Sequence, residues 1–310
     1  MITIFTPTYN RAHLLPRLYE SICKQDCMDF EWLVIDDGST DNTCELFDDW
    51  TRKEHPFSLI YKKVRNGGKQ RAINQAMDMA RGKYFFIVDS DDALAFNAIS
   101  FIKHAFSTLP KDDNSFIGIS GLKVYFDGSF IHQKPKIESS VGYVDCNNIE
   151  RPQYALQADM AEAFYTEKLK QYKFTVWEGE IFTPEAVVWD QMALDGYRLR
   201  WFDVPIYYCE YQQGGLTDST WSLLKRNPMG YAMLFNMQLK VNEYCSRVGN
   251  GFSKTLRWKI HTILQFVSSC CMAKQFSYIS KCVSYWVYPL FFLGVVLSIR
   301  RYFQIYKYLG

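Results

Sequence analysis

Over its first 125 residues the chain alternates β-branched or aromatic runs with amphipathic segments, and this alternation leaves few folds open to it. Residues 2–8, 31–36, 58–64, 84–89 and 116–124 read as strands, and residues 12–24, 41–54, 69–81 and 97–108 as helices between them. Asp41 is expected to cap the second helix and Gly82 to end the third. Strands alternating with helices predict an α/β fold, a mostly parallel sheet with crossover helices. Such sheets bind ligands beyond the carboxyl ends of their strands. The loops to inspect are therefore PTYNRA, DDGSTDN and DSDDA, after strands one, two and four. From about 125 to 175 the chain is polar and punctuated by Gly128, Pro135, Gly142 and Pro152, which predicts loops over the ligand face. Pro184 and Gly196 then bracket one more helix.

Hydrophobic residues make up 48% of the chain and charged ones 22%, so a disordered polymer is excluded. The formal net charge of +2 is a cancellation. Residues 1–243 hold 26 Lys+Arg against 33 Asp+Glu, net −7, whereas residues 244–310 hold nine Lys+Arg and no acid, net +9. A charge asymmetry of this kind points to a membrane or a nucleic acid as partner. The tail's long apolar stretches select the membrane. The run 282–299 carries no charge and, as a helix, would reach about 27 Å at 1.5 Å per residue, short of a bilayer core of about 30 Å. With Pro289 inside it and basic residues on both flanks, it is expected to lie in the interface or form a shallow hairpin rather than span. A buried helix packed on the body is the alternative. Nine scattered cysteines without a CxxC pair predict a reducing compartment. MITIFTPTYN lacks a basic, apolar leader, so the protein is expected at the cytoplasmic face of the cell membrane.

The densest chemistry is IVDSDDA, where Asp89, Asp91 and Asp92 crowd the end of an apolar strand. Three carboxylates so close repel one another unless a cation sits among them, and oxygen-only ligands favour Mg²⁺ or Mn²⁺ shared with substrate phosphates. The alternative is an acidic turn that caps the next helix. In VIDDGSTDN, Asp36 and Asp37 end the second strand, where a carboxylate can accept from a base or ribose, or simply shape a turn. NGGKQR supplies two glycines for close backbone approach, with Lys69 and Arg71 at a helix start. Cations there oppose the helix dipole and need another reason, such as a diphosphate. A GxGxxG after strand one and a Walker A loop are both absent, which removes the dinucleotide and P-loop readings.

TPTYNR, DDGSTDNT, NGGKQRAINQAMDMARGKY and VDSDDAL, in that order over residues 1–110, resemble the family 2 glycosyltransferases of GT-A fold, inverting enzymes that use nucleotide-activated sugars. The likeness resumes at PEAVVWDQMA, and the tract WEGEIFTPEAVVWD followed by YQQGGLTDS resembles a bacterial subgroup that acts on surface polysaccharides. It implies that Pro7 and Tyr9 line the base and that Asp37 contacts the uracil or its ribose. It implies also that Asp89, Asp91 and Asp92 bind the metal and sugar diphosphate, and that Asp190 is the catalytic base. Trp189 precedes Asp190 where many relatives have Glu, which leaves Glu185, Glu180 and Glu178 as competitors. Gly214, Gly215 and Thr217 would form a lid near the phosphates. The organisation expected is a catalytic domain over 1–222 and a helical region over 223–310, with the membrane-associating tail at about 251–310. The partners implied are a nucleotide-sugar donor and a glycan or polyprenyl-linked acceptor, with no nucleic acid. Two other classes stay open: a non-catalytic sugar-nucleotide-binding protein on the same fold, and a metal-dependent phosphatase. The phosphatase needs an early DxDxT loop, whose spacing DDGST does not match.

Overall fold

The computed structural model describes residues 1–138, 140–210, 220–249, 251 and 253–306. The chain divides into two compact units, Met1–Phe174 with Asp195–Gly215, and Thr175–Leu194 with Leu216–Gly310.

The first unit begins as the alternation predicts. Strands β1 (Ile2–Thr8), β2 (Phe30–Asp36), β3 (Ser58–Lys63) and β4 (Tyr84–Ile87) run parallel in the order β3-β2-β1-β4. Between them lie α1 (Leu15–Cys23), α2 (Thr43–Thr51) and α3 (Lys69–Met79). A two-residue strand β5 (Ala93–Leu94) and helix α4 (Ala98–Ser107) follow, then β6 (Phe116–Tyr125). Strands β1 and β2 bury nearly every residue on both faces, as a parallel sheet covered by helices requires. Trp32, Phe47, Phe86, Ile99, Ile102 and Ile119 belong to the resulting core.

Past β4 the sheet turns mixed. The stretch expected as loops holds two strands, β7 (Tyr143–Cys146) and β8 (Met160–Tyr165), the latter followed by a four-residue helix α5 (Thr166–Leu169). Strand β8 inserts antiparallel between β4 and β6. Its sequence MAEAFY has strand-favouring residues only at Phe164 and Tyr165, after two alanines and a glutamate, so it carries a weak strand signal by itself. What holds it is the close approach of β6, where a Cβ on Gly118 would meet the Ala163 carbonyl oxygen at 2.2 Å. Gly82, expected to end α3, likewise serves strand packing, since a Cβ there would meet Thr3 N at 2.4 Å. Helix α3 ends earlier, on Ala80. Strand β9 (Arg198–Cys209) closes the sheet, parallel to β6 and antiparallel to β5 and β7.

The second unit is helical. Helix α6 (Ala186–Leu194) is the one bracketed by Pro184 and Gly196, and α7 (Thr220–Arg226), α8 (Pro228–Val248), α9 (Leu256–Met272) and α10 (Val287–Tyr306) follow. Its core gathers Met229, Leu239, Ile263, Phe266, Val267 and Val287. The uncharged run 282–299 is not one helix, because residues 282–286 precede α10 and Pro289 falls in its first turn, where a missing N–H costs nothing. Among the described residues no helix is long and apolar enough to cross a membrane. All nine cysteines are free thiols.

Candidate functional site

The parallel strands deliver their motif loops to one sheet edge, and the loops are tied to one another. Asn10, with a positive φ of 53°, ends PTYN; its backbone N–H donates to Ser39 Oγ at 2.9 Å, and its Oδ1 accepts from the Thr40 N–H at 2.7 Å. Asp41 Oδ2 accepts from the Ala12 N–H, and its Oδ1 accepts from the Thr43 N–H and hydroxyl. It thus steadies the first turn of α2 as expected, from one position before the cap residue Asn42.

Both carboxylates of the DDGST motif are turned inward. Asp36 Oδ1 accepts from the Ser39 N–H at 2.8 Å, and its Oδ2 accepts from the Tyr61 hydroxyl at 2.5 Å. Asp37 accepts the N–H groups of Gly67 and Gly68, each at 2.7 Å on a separate oxygen, and its carbonyl accepts from the Asn66 amide. Gly68, at φ +92°, needs glycine for this turn. Burial pushes the Asp37 carboxyl above its ordinary range, against the two amides that favour the anion. Asp37 therefore fixes the NGGK loop and sets the start of α3.

Lys69, the first residue of α3, places Nζ 2.8 Å from Asp89 Oδ1. This supplies the reason for a cation at a helix start that the sequence left open. A second ammonium completes the cluster: Lys123 Nζ lies 3.0 Å from Asp92 Oδ2 and 3.7 Å from Asp89 Oδ2. The Tyr207 hydroxyl accepts from the Asp89 N–H and donates to Asp92 Oδ2, both at 2.8 Å. Burial would raise Asp89, but Lys69 and Lys123 outweigh it and hold that carboxyl low, whereas burial pushes Asp92 up. Burial would lower Lys123, yet Asp89 and Asp92 hold it above the ordinary lysine range. Asp91 is half-buried and lies outside this ion-pair network, and its backbone carbonyl accepts from Arg17.

Among the described residues no group of three or more His, Cys, Asp and Glu side chains is placed to hold a metal ion. The expected set of Asp89, Asp91 and Asp92 does not fit a three-carboxylate centre, because two of its members already face ammonium groups.

Residues 3–143 match the family model described as Glycosyl transferase family 2. That region belongs to the family 2 glycosyltransferases. The chain is 34% identical over 99 residues to glycosyltransferase GlyG of Streptococcus pneumoniae, covering 32% of this chain and 33% of that protein. It is 36% identical over 106 residues to abequosyltransferase RfbV of Salmonella typhimurium, covering 33% and 32%. The matches thus span about a third of these curated relatives. The solved structure of S. aureus TarS 1-349 in complex with UDP-GlcNAc superposes with a TM-score of 0.56 at 18% identity, covering 97% of this chain and 89% of that one. This last likeness shows a shared fold, the α/β GT-A type with flanking helices.

Within this family 2 domain Pro7 is half-buried at the end of β1 and Tyr9 is exposed just beyond it. Arg71 donates to the Gly67 carbonyl one turn back. Asp190 and its competitors lie beyond the matched residues, in the second unit. Asp190 is half-buried on α6, Glu185 half-buried just before it, and Glu178 exposed. Glu180 is buried, and its two oxygens accept from the N–H groups of Met229 and Gly230, so it caps the start of α8. Gly214, Gly215 and Thr217 lie outside the described residues. Sequence reasoning missed Lys123 and Tyr207. Lys123 had one signal, a lone charge between Leu122 and Val124 in an apolar strand; Tyr207 had none.

Proposed function

We propose that this chain transfers a sugar from a nucleotide-diphosphate donor, a UDP-sugar, to a hydroxyl of a glycan acceptor with inversion, in surface-polysaccharide synthesis. The observation that carries the reading is the convergence of four family 2 motifs on one sheet edge, with the Gly67–Gly68 amides and Lys69 clamped at the start of α3. The named activities of GlyG and RfbV, and the UDP-GlcNAc bound to TarS, support it. A polyprenyl-linked acceptor at the cytoplasmic face of a membrane is the acceptor class that a cationic, apolar tail favours.

In this reading the acceptor hydroxyl loses its proton to Asp190 as its oxygen forms the new bond to the sugar's anomeric carbon. The bond from that carbon to the diphosphate oxygen breaks, and the electron pair leaves with the nucleotide diphosphate. Lys69 and the first amides of α3 stabilise the charge that develops there. Asp190 is preferred over Glu180, whose oxygens are committed to two backbone amides. No step is assigned to a divalent cation. Mn²⁺ or Mg²⁺ remains the expectation from the sequence, now resting on Asp91. The catalytic domain is taken as 1–222.

The test is a calorimetric screen of nucleotide sugars against the full chain, with and without Mn²⁺, followed by transfer assays with the donor that binds. UDP-sugar binding with transfer supports the reading. Binding without transfer or hydrolysis would favour the non-catalytic alternative, and phosphate-ester hydrolysis without transfer the phosphatase.

A further inference from the structure

Helix α10 has two apolar faces, and only one of them is used inside its unit. The inner face meets α9: Val287, Gly294 and Ser298 are buried, and a Cβ on Gly294 would come within 2.5 Å of Val267. Arg301 extends this face and donates to Ser268 Oγ at 3.0 Å. The outer face carries Tyr285, Tyr288, Phe292, Leu293, Val296 and Ile299, each at least half exposed, with Phe292 at 77%. Steps of three and four residues, with Phe292 and Leu293 side by side at its middle, align this set as one stripe along the helix and the turn before it. An apolar stripe of this length facing water is unusual on a soluble surface and marks an interaction site.

We infer that this stripe is a docking surface for an anionic lipid bilayer, with α10 lying in the plane of the headgroups. Three observations select that occupant. Residues 244–310 contain nine Lys+Arg and no acid, so the surroundings of the stripe complement an anionic surface. The same charge opposes the main rival, a second copy of this chain, because two copies joined here would bring two net +9 segments together. Tyr285, Trp286 and Tyr288 cluster at one end of the stripe, and rings with one polar end are the side chains favoured at the level of lipid headgroups. An in-plane placement follows from the geometry, since the opposite face is already filled by α9 and, among the described residues, no helix is long and apolar enough to cross. The inference does not rest on the transfer reaction, and its test needs neither donor nor acceptor.

The test is co-sedimentation of the full-length chain with vesicles of phosphatidylcholine alone, or of phosphatidylcholine mixed with phosphatidylglycerol. Binding is expected to the mixed vesicles only, to weaken as salt is raised, and to fall about tenfold or more in the double variant Phe292→Ser, Val296→Ser. Both positions are exposed, so the thermal midpoint of the variant without lipid should match that of the parent. If the double variant does not fold, Phe292→Ser alone and the salt titration of the parent read the same surface. Failure of the parent to bind either vesicle overturns the inference, as does equal binding by a folded variant. A dimer in analytical ultracentrifugation that the same substitutions dissolve, without vesicle binding, would assign the stripe to a second copy instead.

Discussion

Lys123 Nζ on β6 stands 3.0 Å from Asp92 Oδ2 and 3.7 Å from Asp89 Oδ2, so the outer carboxylates of the DSDD motif share one ammonium whose side chain is 12% exposed. Replacing it by an apolar residue would remove the ammonium paired with Asp92, while Asp89 would keep Lys69 beside it. Lys123→Met is expected to destabilise the fold by about 3–5 kcal/mol, as breaking a buried ion pair does. The urea midpoint measures this. Added Mn²⁺ should raise the thermal midpoint of the variant more than that of the parent, because a divalent cation can then replace the lost charge. An unchanged midpoint in urea would show that the ammonium is not needed there.

Asp37 accepts two glycine amides, and this predicts a nucleotide-independent role. Asp37→Asn keeps one acceptor oxygen and should cost about 2 kcal/mol, the worth of a hydrogen bond to a charged group. If Asp37 acts by setting the NGGK loop, calorimetry should show UDP and other nucleoside diphosphates weakened by similar factors. Selective loss of UDP would instead mean direct contact with the uracil or its ribose.

Asp190→Asn separates binding from proton transfer. Donor affinity should be retained while kcat for transfer drops by about 10²- to 10⁴-fold, the usual contribution of a positioned base. Near-parental turnover would move the base to Glu185 or Glu178. Glu180→Gln should act chiefly on stability, since its oxygens cap α8.

Glu31, fully buried on β2, gives a pH dependence. Burial would raise its carboxyl, but the Thr3 hydroxyl at 2.6 Å and the Arg81 N–H and guanidinium outweigh it and hold it below the ordinary glutamate range. On acidification the unfolded chain therefore binds this proton first. The stabilisation from Glu31 is complete above the unfolded-state value and is lost as pH falls through the lower folded-state value. Denaturant titrations from neutral to acidic pH should show a shallower acid loss for Glu31→Gln than for the parent. Parallel curves would contradict the assignment.

The sequence by itself determined the parallel half of the sheet. Strands 1 to 4 and their helices follow from local periodicity, and the motif loops follow from the rule that parallel strands present their carboxyl ends to ligand. Tertiary structure decided the rest. MAEAFY becomes the central strand β8 only because the glycine at 118 lets β6 lie against it, and its weak local propensity does not announce that. The fate of the acidic motif was equally hidden. Three adjacent aspartates suggest a cation, but its nature depends on Lys123 and Tyr207, cross-strand partners on β6 and β9 far from the motif in sequence. In the tail the order reverses. The +9 charge is legible in the residues, whereas which half of the apolar surface of α10 stays exposed depends on the face that packs against α9. Local chemistry is written along the chain, and the partner of each group is set by contacts between residues distant in it.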